Sequence, residues 1–323
     1  MHKIIVIFAK LHEKIYFCKK NENQIDNMKT ILFFLAVISV QSVYAQHIRF
    51  KEVKNHMIAE VSLNKQVKAR ALIDTGSSIT VLDSTFVVSS GLELNPTACH
   101  HALRLTAIGK TLWCYQVISD TLDVDGLRNT RPVYIADLRQ AKKWFKDGGY
   151  DMIMGSCYMA KDGSQMVTLN IAKGYVKYGK QALPENKYKR GIMTIDKKGF
   201  VGTDAPLRIM DSDYRSGQII GRFIIDTGNA NFFFLCGKSE GVIESLNRQG
   251  FELSERTKDG KTIKYIKMDS AEMLGKKVNM EKSILPIIPA SIGRNYAGAI
   301  GYKFLKEVEL VLDYDNNFLY IKQ

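Results

Sequence analysis

The sequence contains few of the patterns that mark common metal-binding and catalytic sites. Its 323 residues include only five cysteines, and no two of them form a CxxC pair, so a cysteine-ligated zinc site has little support. No HExxH pattern or glycine-rich phosphate loop is present, and Ser77 and Ser78 lie in no Gly-x-Ser-x-Gly elbow. His100 and His101, beside Cys99, are better explained as residues of a solvated loop than as metal ligands. We therefore expect no metal and no cofactor.

The most apolar segment of the chain is shorter than the roughly 20 residues that a membrane-spanning helix needs. It runs from Ile31 to Val40, follows Met28-Lys29-Thr30, and precedes the small-residue site Val43-Tyr44-Ala45. This order is typical of a signal peptide that is cleaved before Gln46.

We predict a leader at residues 1–45, with the signal peptide at residues 28–45. The mature protein is then expected to be secreted or periplasmic, with no stable membrane span. A buried N-terminal helix is the alternative for the same segment. Residues 1–27 fit either an extended n-region or a chain whose true start is Met28.

The charge balance is basic. The chain has 46 Lys and Arg residues against 33 Asp and Glu residues, which gives a formal net charge of +13. A charge of this size could serve a nucleic acid or an anionic surface. The basic residues are scattered, however, with no dense arginine run and no interleaved aromatic pattern. The composition favours a solvated basic surface, and we expect no nucleic-acid partner.

One short stretch occurs twice, and the rest of the chain is arranged around its two copies. Leu72-Ile73-Asp74-Thr75-Gly76-Ser77-Ser78 is an apolar run that ends in a tight turn, and Phe223-Ile224-Ile225-Asp226-Thr227-Gly228-Asn229 is a near copy. A single Asp-Thr-Gly is commonly no more than a turn. Two copies with the same apolar lead-in indicate a duplicated unit that brings two carboxylates together.

The chemistry of paired carboxylates explains these residue types. Two carboxylates a few ångströms apart cannot both ionise, so they share a proton; one then acts as a base toward water and the other as an acid. Thr75 and Thr227 can hydrogen-bond the opposite loop and fix the geometry. Gly76 and Gly228 allow a close approach of the two backbones.

A second feature repeats in the same order. An apolar-apolar-Gly element follows each aspartate at a similar distance, at Ile153-Met154-Gly155 and at Ala299-Ile300-Gly301. From Gln46 onward the apolar residues mostly alternate, which predicts strands. We predict an N-terminal lobe at residues 46–180 and a C-terminal lobe at residues 193–323. Residues 181–192 would form the linker.

With these motifs, the chain resembles the pepsin-like and retropepsin-like aspartic peptidases over most of residues 50–323. The resemblance implies an all-β, bilobal fold of two similar β-barrel-like lobes, with the active site between them. It also implies that Asp74 and Asp226 form a catalytic dyad that activates water without a covalent intermediate, the usual example of coupled carboxylates. The partners would be peptide or protein substrates. Because one chain supplies both lobes, a monomer suffices.

The same resemblance assigns roles to the residues around the dyad. Thr75 and Thr227 would hold the two loops together, and Ser77 would hydrogen-bond the outer oxygen of its aspartate. Asn229 stands where Ser, Thr or Ala is usual in the second loop, although its amide can still donate a hydrogen bond.

The hairpin at residues 103–117 occupies the place of the flap. Its tip, formed by Ala107, Ile108 and Gly109, resembles a retropepsin tip and lacks the tyrosine that precedes the tip of a pepsin-type flap. On pattern alone, an ordinary edge hairpin is the alternative.

Disulfide pairing stays open at this point. Export would permit disulfides, and Cys99 and Cys114 are close enough in the sequence for a local bridge. Free buried thiols are the alternative.

Two hypotheses for function remain. The first is an aspartic endopeptidase, and the second is a catalytically silent peptide-binding protein of the same fold. Retention of both aspartates favours the enzyme, because a binding protein needs neither. Asn229 and the unusual flap tip keep the second hypothesis open.

Overall fold

The structure is a computed structural model that describes residues 47–105, 110–118, 122–128, 132–139, 149–156, 166–197, 199–239, 241–258, 261–289 and 296–323. Residues His47–Gln323 form one unit. The fold is all-β and bilobal, which confirms the predicted fold class. The predicted leader and signal peptide lie outside the described residues.

Strands dominate both halves of the described chain, which has 24 of them. Those of the first half are β1 (His47–Glu52), β2 (Met57–Leu63), β3 (Val67–Ile73), β4 (Thr80–Asp83), β5 (Thr97–Leu105), β6 (Lys110–Ile118), β7 (Asp123–Val124), β8 (Leu127–Arg128), β9 (Val133–Ala136), β10 (Met152–Met154), β11 (Met166–Asn170) and β12 (Tyr175–Tyr178). Those of the second half are β13 (Tyr188–Ile195), β14 (Val201–Thr203), β15 (Leu207–Asp211), β16 (Ser216–Ile219), β17 (Arg222–Asp226), β18 (Phe233–Cys236), β19 (Ser254–Lys258), β20 (Lys261–Met273), β21 (Lys276–Ile288), β22 (Tyr296–Gly301), β23 (Glu309–Asp313) and β24 (Phe318–Lys322).

The helices of the described ranges are short: α1 (Ser84–Ser90), α2 (Val242–Arg248) and α3 (Tyr302–Lys306). The Asp83 side chain accepts a hydrogen bond from the Thr85 N–H and caps α1, and Gly91 ends it with a φ of 68°. Across the described part of the chain, no helix has the length and apolarity needed to cross a membrane.

The first lobe places one strand beside the first aspartate. β10 pairs in parallel with β3 and antiparallel with β4, and β4 pairs in parallel with β9. On its other side, β3 forms an antiparallel hairpin with β2. The carboxyl end of β3 is therefore enclosed within the sheet, and Asp74 follows it directly.

The second lobe repeats this arrangement strand for strand. β22 pairs in parallel with β17 and antiparallel with β18, and β18 pairs in parallel with β21. β14 lies antiparallel to β17 on its other side. Because the order and directions of the strands match, the internal duplication read from the sequence is also present in the topology.

A third, wholly antiparallel sheet joins the two halves. Its strands follow the order β1, β12, β11, β23, β24 and β13. The first half contributes three of them and the second half the other three. This shared sheet connects the two lobes through their own backbone hydrogen bonds.

A glycine interrupts the chain that leads into the second aspartate. The stretch from Gly217 to Ile225 is divided into β16 and β17 at Gly221, where φ is 151° and a Cβ would lie 2.7 Å from the Ala297 Cβ. The predicted linker at residues 181–192 contains the first residues of β13, which already belong to the shared sheet. The lobe boundaries themselves stay a prediction.

Candidate active site

The two aspartates lie at equivalent ends of equivalent strands. Asp74 follows β3, and its N–H donates to the Met154 carbonyl at 3.0 Å. Asp226 ends β17, where it pairs with Gly301 of β22. β10 in the first lobe and β22 in the second therefore fix the backbone from which each carboxylate projects.

Two threonines lock the aspartate loops to each other. The Thr75 hydroxyl donates to the Ile225 carbonyl at 2.7 Å and accepts from the Thr227 N–H at 3.0 Å. The Thr227 hydroxyl donates to the Ile73 carbonyl at 2.9 Å and accepts from the Thr75 N–H at 3.0 Å. Both side chains are buried. The four bonds form a symmetric grip that holds the loops in register, as the resemblance implied.

The glycines of the two loops leave room for the opposite carboxylate. A Cβ on Gly76 would lie 2.2 Å from Oδ1 of Asp226, and a Cβ on Gly228 would lie 2.6 Å from Cγ of Asp74. Distances this short exclude any side chain. Each aspartate therefore lies directly against the backbone of the other loop, and the charge of Asp74 raises the pKa of Asp226.

Local donors orient each carboxylate. The Gly76 N–H donates to Oδ1 of Asp74 at 2.9 Å, and the Asn229 N–H donates to Oδ1 of Asp226 at 3.1 Å. The N–H of Gly228 also lowers the pKa of both carboxyl groups. Donors aimed at fixed oxygens preorganise the pair before any substrate arrives.

The electrostatics of the pair are unequal. Burial raises the pKa of Asp74, and the N–H of Gly76 and the nearby His56 offset only part of that increase. Burial also raises the pKa of Asp226, and the negative charge of Asp74 raises it further, to well above its ordinary value. The geometry thus favours a proton on Asp226 that is donated to an ionised Asp74.

The apolar-apolar-Gly elements pack against the backbone that follows each aspartate loop. A Cβ on Gly155 would lie 2.2 Å from the Ile79 carbonyl oxygen, and a Cβ on Gly301 would lie 2.2 Å from that of Asn231. These glycines let their strands pass directly under the aspartate loops. The repeated Gly, predicted from the sequence as part of the motif, therefore has a steric reason in both lobes.

Two supporting residues behave differently from the roles that the resemblance implied. The Ser77 hydroxyl donates to the Ile79 carbonyl at 2.7 Å, so its single proton is used within its own loop rather than on Asp74. The Asn229 side-chain oxygen accepts from the backbone and side-chain N–H groups of Asn231. The backbone of Asn229, not its amide, contacts Asp226.

His56 also reaches the site, although no pattern in the sequence singles it out. Its Nε2 lies 3.1 Å from the Gly228 carbonyl oxygen, across the junction of the lobes. The one available signal was its place in the chain: His56 directly precedes β2, which pairs with β3, and β3 leads into Asp74. No local motif marks that place.

The flap prediction is only partly visible. β5 and β6 pair as an antiparallel hairpin from Thr97 to Ile118, whereas the predicted tip residues Ala107, Ile108 and Gly109 lie outside the described residues. Cys99 and Cys114 of this hairpin are free thiols. Within the described ranges, no group of three or more His, Cys, Asp or Glu side chains could hold a metal ion.

Comparisons with known proteins agree with this geometry. A family profile described as aspartyl protease matches residues 59–156, which contain the first aspartate loop and Gly155. No curated protein matches the chain by sequence. Among solved structures, the chain is similar to the aspartic proteinase from Irpex lacteus, with a TM-score of 0.52 and 11% identity over 86% of this chain and 97% of that one. At this identity, the similarity shows the fold alone.

Proposed function

We propose that this chain is an aspartic endopeptidase whose catalytic dyad is Asp74 and Asp226; the aspartyl-protease profile over residues 59–156 and the shared fold support this. The observation that carries the proposal is the threonine grip. Four hydrogen bonds between the loops hold two carboxyl groups together although burial and mutual repulsion oppose it. A fold that only bound peptides would gain nothing from this arrangement.

The roles of the two aspartates follow from their unequal surroundings. The ionised Asp74 takes a proton from a water molecule as that water attacks the carbonyl carbon of the peptide. Asp226 gives its proton to the carbonyl oxygen, and a neutral tetrahedral diol results. Asp74 then protonates the leaving nitrogen, the C–N bond breaks, and a diol hydroxyl returns a proton to Asp226. Each proton is accounted for, and no covalent intermediate forms.

Further parts of the proposal concern the chain as a whole. We propose export to the secreted or periplasmic space after removal of residues 1–45, action as a monomer, and lobes at residues 46–180 and 193–323. N-terminal sequencing of the mature protein tests the export proposal, since the chain should begin at Gln46. A retained Met1 or Met28 would contradict it.

Cleavage of a mixed peptide library tests the proposed activity. The purified protein is incubated with the library from pH 3 to pH 8 beside Asp74→Asn and Asp226→Asn, and products are read by mass spectrometry. We expect products with the parent and none with either variant. Saturable peptide binding without cleavage at any pH would instead favour the silent peptide-binding protein, which is the second hypothesis.

A further inference from the structure

His56 lies beside the aspartate pair, yet the mechanism above assigns it no step. It is the first residue after the two-residue turn that joins β1 to β2. Its Nε2 lies 3.1 Å from the Gly228 carbonyl oxygen, and its Nδ1 lies 2.7 Å from the Lys54 carbonyl oxygen. Both ring nitrogens therefore face groups that can only accept a hydrogen bond.

This pairing selects one protonation state of the ring. A neutral imidazole carries one N–H and one lone pair, so it can satisfy one carbonyl and must oppose the other. An imidazolium donates at both nitrogens. The contacts of His56 thus match the doubly protonated ring, which carries a positive charge.

The backbone of the turn builds this arrangement. Val53 and His56 exchange two backbone hydrogen bonds, of 2.9 and 3.0 Å, and the two residues between them, Lys54 and Asn55, have φ values of 51° and 60°. Both central residues with positive φ define the mirror-image hairpin turn. A left-handed lysine is uncommon, and here it brings the Lys54 carbonyl to the ring.

The second lobe provides an internal comparison. Ile58 pairs with Leu72, two residues before Asp74, and Gly202 pairs with Ile224, two residues before Asp226. The residue two positions before Ile58 is His56, and the residue two positions before Gly202 is Phe200. Phenylalanine neither donates a hydrogen bond nor carries a charge. The duplication therefore places a cation on one side of the site only.

His56 also contacts the backbone peptide group of Gly228, which lies next to the dyad. The carbonyl of Gly228 accepts from His56, while the N–H of the same residue lowers the pKa of both carboxyl groups. The positive ring lowers the pKa of Asp74. One side chain thus affects both the position of the second loop and the charge balance of the pair.

We propose that His56, as an imidazolium, is a positioning residue that fixes the Gly228 peptide and directs the shared proton to Asp226 by stabilising the ionised Asp74. The rate part of this inference rests on the proposed peptidase function. The charge part does not, because the aspartate pair titrates whether or not a peptide is cleaved.

Other charged groups around this contact are already engaged. On the hairpin that carries His56, Glu52 accepts from Nζ of Lys306 of α3 at 2.7 Å. Nζ of Lys303 lies over the Phe232 ring. Of the two aspartates, Asp74 is the one whose pKa the charge of His56 lowers.

The decisive experiment compares His56→Gln with His56→Arg. Glutamine keeps one donor for Gly228 but removes the charge, whereas arginine keeps both the donors and the charge. His47→Gln is the matched control, because His47 lies on β1 against Tyr175 of the shared sheet. Two quantities are measured in each variant: the pH profile of kcat/KM and the titration of the aspartate carboxyl carbons by NMR.

Loss of a nearby positive charge disfavours a carboxylate, so the pKa of Asp74 should rise. We expect the acidic limb of kcat/KM and the first carboxyl titration to move up by about one pH unit in His56→Gln. His56→Arg and His47→Gln should match the parent within about 0.3 pH units by the same argument. Thermal unfolding of each variant verifies that it is folded.

The possible outcomes separate the two proposals. If the parent cleaves peptides and His56→Gln keeps both the acidic limb and the carboxyl titration of the parent, the role of His56 is overturned and the peptidase function stands. If the parent cleaves nothing, the function fails, and the carboxyl titration alone decides the role of His56. An equal upward shift in His56→Arg would also overturn it, because charge would then not be the cause.

Discussion

Replacing Thr75 by valine removes one hydroxyl from the grip between the aspartate loops and leaves the side-chain shape unchanged. The Thr75 side chain is buried, and its hydroxyl donates to the Ile225 carbonyl at 2.7 Å and accepts from the Thr227 N–H at 3.0 Å. Valine breaks both bonds and leaves a buried N–H and a buried C=O without these partners. Water cannot readily replace them at this position.

The expected change in the free energy of unfolding follows from these two hydrogen bonds. A net hydrogen bond contributes roughly 0.5–1.5 kcal/mol, and a buried polar group left unpaired costs about 1–3 kcal/mol. We therefore expect Thr75→Val to lower the free energy of unfolding by about 2–4 kcal/mol. Thr75→Ser keeps the hydroxyl and loses one methyl group, so it should cost about 1 kcal/mol.

Equilibrium urea unfolding at pH 7 measures both variants. The slope of the transition with denaturant should stay unchanged if only stability is altered. A Thr75→Val protein within about 0.5 kcal/mol of the parent would refute the reasoning, since net hydrogen bonds of the usual size could not then be present. A Thr75→Ser protein as unstable as Thr75→Val would refute it too, because the hydroxyl would not be the cause.

Three further predictions follow from other parts of the structure. Gly76→Ala places a Cβ 2.2 Å from Oδ1 of Asp226 and should reduce kcat/KM at least about 100-fold by displacing that carboxyl group; Gly149→Ala, with nothing within 4 Å, should retain full activity. Asp226→Asn should raise the Tm at pH 7: burial and Asp74 raise the pKa of Asp226, so its stabilising contribution is present at low pH and lost as pH rises. That gain should vanish near pH 3, and an unchanged Tm at pH 7 would contradict it. Burial would raise the pKa of Glu309, but hydrogen bonds from Tyr188 and Asn170 prevail and lower it. The stabilising contribution of Glu309 is thus present at neutral pH and lost as pH falls. Glu309→Gln should therefore lower the Tm at pH 7, and its Tm should converge with that of the parent below about pH 4. The control Glu281→Gln should not lower the Tm at pH 7.

Local patterns predicted the parts of the fold that local interactions determine. β2 and β3 lie in the part of the chain where alternating apolar residues predict strands, and the turn between them contains Asn64 and Lys65, whose φ values are 48° and 57°. The two aspartate loops were also predictable, because an apolar strand that ends in Asp-Thr-Gly carries its chemistry within a few residues.

Features that depend on distant contacts were not predictable in this way. The long hairpin of β20 and β21 was not predicted, and a register shift between Met268 and Ser270 interrupts the period-two pattern along it. His56 was missed for a similar reason, since its partner at Gly228 is 172 residues away in the chain. Only the comparison of the two lobes in space shows that the first carries a histidine where the second carries Phe200.

The central claim is that Asp74 and Asp226 act together as one catalytic dyad. The most direct test is kcat/KM for the best-cleaved library peptide, measured for the parent, Asp74→Asn, Asp226→Asn and the double variant. Because acid and base share one proton, each single variant should lose at least about 1,000-fold, and the double variant should lose little more than either. A single variant that keeps a tenth of the parent's activity, or losses that multiply in the double variant, would contradict the dyad.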